Sequence, residues 1–322
     1  MTDTDWEPTA ELARLQQRAA LLARARSFFD ERGVLAVDTP ALVRRAVTDP
    51  RLHSISAQWP GGTAAFLHTS PEYAMKRLLA AGYGDLYQIC HVFRGEEQGP
   101  LHNGEFTLIE WYRVGWTLQQ LMDEVALLVQ ALLAPATARP VRQLSYADAL
   151  RQHAGCDPLG ATDDELAAAA RAQGFDAALL ARCTRDELLD LLMGARVGPR
   201  LGHGELCFVH RYPGSQAALA RLDPDDSRVA LRFELYAEGI ELANGFEELG
   251  DAGEQRRRFE ADRRERARCG LPQHEPDERL LAALAHGLPP CAGVAVGFDR
   301  VLMLAAGACQ IADVLPFTSE RA

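Results

Sequence analysis

Between residues 9 and 32 apolar side chains recur near helical spacing, at Leu12, Leu15, Ala19, Leu22 and Phe29, and Gly33 ends the run. The pattern predicts an amphipathic helix. In "GVLAVDTPAL" it predicts a turn and a short extended segment that Pro40 closes. "TSPEYAMKRLLAAG" predicts a loop and then a helix opening at Ser70–Pro71, since the missing N–H of proline costs nothing in a first helical turn. "DLYQICHVF" and "EFTLIEWYRV" alternate as strands do and flank a short Gly/Pro loop, so they predict an antiparallel pair. Residues 117–134 predict a helix, and "TDDE" at 162–165 and "TRDE" at 184–187 each predict a capping box opening another. "RFELYAEGIELANGFEEL" predicts strands with an Asn-Gly turn. Residues 254–269 predict a charged helix ended by Gly270, and "CAGVAVGFDRVLMLAAGA" a Gly-rich strand running into a helix. This order is that of an α+β protein. It is read as one domain over 1–322 with a small helical insertion at about 145–205, and "APATARP" at 134–140 as its flexible connection.

Composition narrows the class. Of 322 residues, 48% are apolar and 25% charged, the balance of a water-soluble globular chain with room for a sizeable core. The start, "MTDTDWEPTA", is acidic and has no apolar stretch, so no secretory signal is expected. "EVALLVQALLA" is too short for a membrane span. Seven cysteines without a CxxC pair read as reduced thiols, which predicts a cytoplasmic protein. A net charge of −11 argues against a broad nucleic-acid surface.

Three stretches carry chemistry. In "FRGEEQGPLHNGEFTLIEWY", Arg94 stands where the first strand enters the loop, and a guanidinium there can hold a phosphate through two parallel hydrogen bonds. Glu96, two residues on, shares its face if the strand persists that far. His102 and Asn103 can donate to phosphate oxygens, and Phe106 offers a flat face for a base. In "GIELANGFEEL", Glu241 and Glu248 lie an odd number of residues apart, on opposite faces of a straight strand. A turn or bulge at Asn244–Gly245 would bring both to one side, and two carboxylates with phosphate oxygens are a common Mg²⁺ environment. In "GVAVGFDR", Gly293 and Gly297 let the backbone approach a flat ligand, and Arg300 at a helix start favours an anion. Taken alone, each would be an ordinary charged or packing residue. Their combination and order are the signal.

Together they resemble the catalytic core of class II aminoacyl-tRNA synthetases over most of the chain. "RGVLAVDTPAL" is similar to motif 1, with Pro40 at the dimer interface. "FRGE" with His102 and Phe106 is similar to motif 2, and "GVAVGFDR" to motif 3. "HNGEFTLIEWY" and "TSPEYAMKRLL" resemble the lysyl branch. Within it, "TSPEY", "GIELANGFEEL" and "CGLPQH" are similar to the stand-alone enzymes that lysylate elongation factor P.

The resemblance implies a class II synthetase-like antiparallel sheet flanked by helices, and ATP and Mg²⁺ as cofactors. Arg94 would bind the α-phosphate and Arg300 the γ-phosphate. Gly95, Glu96, His102, Asn103, Phe106, Glu241, Leu242 and Gly297 would complete the nucleotide site, and Glu241 and Glu248 would carry Mg²⁺. Ser70, Pro71, Glu72, Tyr112, Glu248 and Ala295 would hold lysine or (R)-β-lysine, and Glu110 would add a carboxylate for a substrate with two ammonium groups.

The sequence departs from the lysyl pattern in three places. The chain opens almost directly on the motif 1 helix, so no anticodon-reading module is expected. Ala295 replaces the middle glycine of motif 3, reshaping the pocket floor in favour of a differently placed amino group. Gly95, Pro100 and Gly104 replace motif 2 residues, including a loop arginine. The expected function is activation of lysine or (R)-β-lysine as an adenylate and transfer to a lysine ε-amine of elongation factor P, by a homodimer that uses neither tRNA nor a membrane. Two alternatives stand beside it. One is a truncated synthetase that charges tRNA, or a free-standing adenylate-forming enzyme of the same fold. The other is a non-catalytic regulatory paralogue that binds amino acid, which would have lost Arg94, Glu241, Glu248 or Arg300; all four are present.

Overall fold

A computed structural model describes residues 6–133 and 138–322. In chain order the elements are α1 (Leu12–Asp30), β1 (Leu35–Ala36), β2 (Leu42–Val43), β3 (Ser56–Gln58), β4 (Ala64–Leu67), α2 (Glu72–Ala80), β5 (Leu86–Phe93), β6 (Glu105–Val114) and α3 (Leu118–Leu133). Then come β7 (Val141–Ser145), α4 (Tyr146–Ala154), α5 (Asp163–Ala172), α6 (Ala177–Leu180), α7 (Arg185–Leu192), β8 (Leu206–Pro213), β9 (Val229–Ala237) and β10 (Ile240–Glu247). The chain closes with α8 (Ala252–Arg268), α9 (Glu278–Gly287), β11 (Cys291–Gly297) and α10 (Phe298–Ala305). Most of the connection expected at 134–140 lies outside the described residues. Among those described, no helix is long and apolar enough to cross a membrane.

The chain forms two compact units. The first draws on residues of 1–116, 127–136 and 250–322. Its main sheet runs β1, β5, β6, β11, with β1 parallel to β5 and the other pairs antiparallel. A smaller antiparallel sheet sets β4 between β2 and β3. Opposed residues of neighbouring strands share a face. One face of the main sheet is apolar: Tyr87 and Trp111 meet Phe29 of α1, with ring centroids 4.4 and 5.2 Å away. The other face carries Gln88, Glu110 and Ala295 in one row and Leu86, Tyr112 and Gly293 in the next. Met75 and Leu79 of α2 pack there against Leu86, Tyr112 and Cys291.

The second unit draws on residues 117–126 and 137–249. Its strands run β7, β8, β9, β10, with β7 parallel to β8 and the rest antiparallel. Helices α4, α5 and α7 bury Leu150, Leu166, Leu188 and Leu192 in one core with Cys207 and Val209 of β8. Both expected capping boxes form, at Thr162 with Glu165 and at Thr184 with Glu187, satisfying N-terminal N–H groups reciprocally.

The expected Asn-Gly turn does not form. The β9–β10 hairpin turns instead at Glu238–Gly239, where consecutive φ values of 50° and 76° match the twist of a tight hairpin. A Cβ on Gly239 would come within 2.9 Å of the Pro199 carbonyl oxygen, so glycine is required there. Asn244 and Gly245 continue β10 in register with Glu234 and Phe233.

Candidate active site

In the first unit β5 ends at Phe93, and the backbone N–H of Arg94 donates to the Gly104 carbonyl at 2.9 Å, closing the neck of the motif 2 loop. The Arg94 guanidinium is aimed by three partners. Its Nε donates to the Thr69 carbonyl at 3.3 Å, its Nη1 lies 3.4 Å from Glu97 Oε1, and its Cζ stands 5.0 Å over the Phe106 ring. The Gly95 N–H donates to the His53 carbonyl at 2.7 Å, and a Cβ there would sit 3.3 Å from that oxygen, a tight contact that glycine avoids. Glu96 does not share the face of Arg94. The strand has ended, Glu96 adopts φ 66°, and its side chain is 77% exposed, 3.6 Å from His53 Nε2. The carboxylate beside Arg94 is Glu97.

The loop is pinned from α10 and from the C-terminal segment. Arg300 donates to the Leu101 carbonyl at 3.3 Å and to His102 Nε2 at 2.8 Å. Burial, then the Arg300 charge, lowers the His102 pKa, so the ring is neutral and can accept. The Asn103 carboxamide donates to the Glu105 carbonyl at 2.7 Å and accepts from the N–H and hydroxyl of Ser319, each at 3.2 Å. Next to Arg300, Asp299 accepts from the Thr107 N–H at 2.6 Å and from Arg18 of α1, which also donates to the Thr107 hydroxyl at 2.6 Å. That buried link seats α10, and so Arg300, on β6.

Of the expected amino-acid residues, Ser70, Pro71, Glu72, Tyr112 and Ala295 belong to the first unit, about α2 and the sheet face it covers. Ser70 Oγ and Tyr112 Oη each donate to Glu110 at 2.8 Å, and Ser70 Oγ accepts from the Glu72 N–H at 3.0 Å. Pro71 caps α2. Glu110 is 2% exposed. Burial, then the Glu72 charge, pushes its carboxyl up to about 8, against Ser70, Tyr112 and Lys76, which hold it down. Gly293, Ala295 and Gly297 stand opposite Tyr112, Glu110 and Leu108, so the β11 edge of this face is almost bare of side chains. The Ala295 methyl is its one projection, in register with Glu110.

In the second unit a bulge between Glu241 and Ala243 makes Leu242 the extra residue. Glu241 then opposes Tyr236, and Asn244 and Phe246 oppose Glu234 and Arg232. The alternation Asn244, Phe246, Glu248 continues that face, so the bulge removes the odd-spacing conflict two residues earlier than expected. Both carboxylates therefore lie on one face, as the Mg²⁺ expectation required, while no cluster of three or more metal-ligating side chains is found among the described residues.

The same face carries polar residues that the pattern did not single out. Arg232 donates to Glu234 at 2.6 Å and to Asn244 Oδ1 at 3.3 Å, and the Tyr236 hydroxyl donates to Glu234 at 2.6 Å. The period-two run Arg232, Glu234, Tyr236 was their signal. For Glu97, Lys76 and Ser319 the sequence offered none.

The motif 2 hairpin, the glycine-edged β11 and the arginine at its helix entry define a class II synthetase catalytic core. A family model for class II tRNA synthetases (D, K and N) matches residues 5–321, and the chain belongs to that family. It is 48% identical over 324 residues to the Elongation factor P--(R)-beta-lysine ligase of Pectobacterium carotovorum, with 99% of each chain covered. It is also 48% identical over 327 residues to the ligase of that name from Erwinia tasmaniensis, covering 100% of both, and 47% identical over 322 residues to that from Salmonella dublin, covering 98% of both.

Proposed function

We propose that this chain is an ATP-dependent ligase that activates (R)-β-lysine or lysine and transfers it to a lysine ε-amine of elongation factor P. The observation that carries the reading is the near full-length identity to the ligases named for that reaction. The amino-acid carboxylate attacks the α-phosphorus, the bond to the β-phosphate oxygen breaks, and pyrophosphate leaves. The acceptor amine then attacks the adenylate carbonyl, AMP leaves, and the amine loses a proton. Arg94 stabilises the charge that grows on the α-phosphate and Arg300 the charge of the departing pyrophosphate, by preorganised donors rather than covalent chemistry. Glu241 and Glu248 would hold Mg²⁺, which neutralises phosphate charge when bound. We assign Ser70, Glu72, Glu110, Tyr112 and Ala295 to the amino acid, and the whole chain to one catalytic domain with residues of about 145–205 inserted. The reaction belongs in the cytoplasm, in keeping with seven cysteines that are all free thiols.

A protein acceptor is favoured over tRNA by the state of the arginines on α8. Arg256 pairs with Glu278, Arg257 and Arg258 with Glu254, Arg263 with Glu275 and Arg268 with Glu265. Arg266 is buried and donates to the Pro272 and Asp49 carbonyls at 2.7 and 2.9 Å. Six of the seven arginines on α8 are engaged in this way, leaving exposed Arg264, so the helix has little to offer a phosphate backbone. Incubation with ATP, (R)-β-lysine or lysine, and elongation factor P is expected to add one aminoacyl mass to a single lysine, while lysine tRNA stays uncharged. Charged tRNA with unmodified factor would overturn the reading.

A further inference from the structure

None of the roles above uses Lys76, although it is a cation buried in the amino-acid pocket. It lies one turn beyond Glu72 on the same side of α2, 1% exposed, with Nζ 2.6 Å from Glu72 Oε1. An ammonium buried this deeply is costly unless paired, so the site retains it at some cost to stability. The helix cannot roll to release it, because Met75 beside it and Leu79 are locked against Leu86, Tyr112 and Cys291.

We propose that Lys76 is a specificity-determining positioning residue: paired with Glu72, it sets the charge of the pocket so that Glu110 receives one ammonium group of the amino acid. This deepens the proposed function and rests on its assignment of the pocket. The charge count is the core of the argument. Glu72 and Glu110 bring two carboxylates, Lys76 brings one fixed ammonium, and one substrate ammonium completes neutrality. The charges acting most on Glu110 are those of Glu72 and Lys76, while Asp49, Asp262 and Asp277 stand near Tyr73 and Asp38 near Cys90. Ser70, Tyr73 of α2, Tyr112 of β6, and Gln88 and Cys90 of β5 are neutral, with burial pushing Cys90 up to about 12 and Tyr73 well above the usual tyrosine range. Ala295 of β11 adds only a methyl. With Lys76 neutral, two carboxylates, Glu110 buried and Glu72 half-buried, would face one incoming cation. Their mutual repulsion would keep one of them protonated and unable to bind it.

The test compares wild type, Lys76→Met, Lys76→Arg and Glu72→Gln by amino-acid-dependent pyrophosphate exchange and by calorimetric amino-acid binding, across pH 6–9. In wild type, kcat/KM for the amino acid rises with pH as Glu110 ionises. Lys76→Met is expected to move that midpoint up by about 1–3 pH units, because a nearby cation favours the carboxylate. For every pH unit that the midpoint rises, amino-acid binding measured below it weakens about tenfold. KM for ATP should stay within about twofold, and Lys76→Arg should restore the midpoint. Glu72→Gln should move the midpoint down, since its charge opposes ionisation of Glu110, and this opposite sign separates electrostatics from packing.

A folded Lys76→Met with the wild-type midpoint and KM overturns the proposal, as does loss of fold in both Lys76→Met and Glu72→Gln. Wild type that binds the amino acid with these midpoint changes but runs no exchange sinks the proposed function and leaves the role of Lys76 standing. Wild type that neither binds nor exchanges sinks both.

Discussion

Ala295 stands across the β6–β11 ladder from Glu110, between two glycines that leave the rest of the edge bare. A single methyl therefore decides how closely an amino acid can lie against that strand. Ala295→Gly is expected to shift the ratio of kcat/KM values toward α-lysine and away from (R)-β-lysine. One methyl in a pocket is worth roughly 10–200-fold in discrimination. The two substrates compared in pyrophosphate exchange measure it, and an unchanged ratio would reduce Ala295 to packing. At this scale the sequence revealed residues whose chemistry is conspicuous where they stand. Arg94, Arg300 and the two glutamates of the β10 region interrupt strand-like or glycine-rich runs. Lys76 was hidden because a lysine four residues after a glutamate looks like an ordinary solvated helix pair. Only tertiary packing, with α2 turned to the sheet, makes it a buried charge. Glu96 leaves the face of Arg94 for the complementary reason: that alignment depended on the strand running three residues further than it does.

Among the elements, the motif 2 loop is held at both ends by groups remote in sequence. Asn103 is its tightest fastening, because losing its carboxamide strands the Ser319 N–H and the Glu105 carbonyl together. Asn103→Ala is expected to raise KM for ATP by about tenfold, the order of one or two hydrogen bonds lost from a partly buried site. KM for the amino acid should change far less, and equal changes in both would point to a general loss of fold. Helices and strands were legible here because their periodicities are long and regular: the β5–β6 pair, both capping boxes and the β11-to-α10 passage all form where the pattern expects them. The β9–β10 turn was not. Asn-Gly is the strongest short turn signal, yet Glu238–Gly239 takes the turn, since only there do two residues with positive φ fall between strands already in register. The bulge at Leu242 leaves no compositional mark of its own.

For the molecule as a whole, exposed apolar groups near the motif 1 segment bear on assembly. Leu12 on α1 is 71% exposed and Leu35 at the start of β1 is 46% exposed. Beyond β1 the chain stays tied to β5 through the Val37 N–H donating to the Tyr87 carbonyl at 2.9 Å. A two-fold contact over this region is the expected use of such surface. Sedimentation at micromolar concentration is expected to give twice the 35.3 kDa chain mass. A monomer of full activity would refute the homodimer. The link of Arg18 and Thr107 to Asp299 adds a consequence that can be read across generations of the protein rather than in one copy. Asp299 lies 281 positions along the chain from Arg18 and 192 from Thr107, yet the three are joined in one buried cluster of donors and acceptors. Drift at either charged member leaves the other stranded in the interior, so substitutions there should survive only in concert. Across related genes, positions 18 and 299 should therefore change together or not at all.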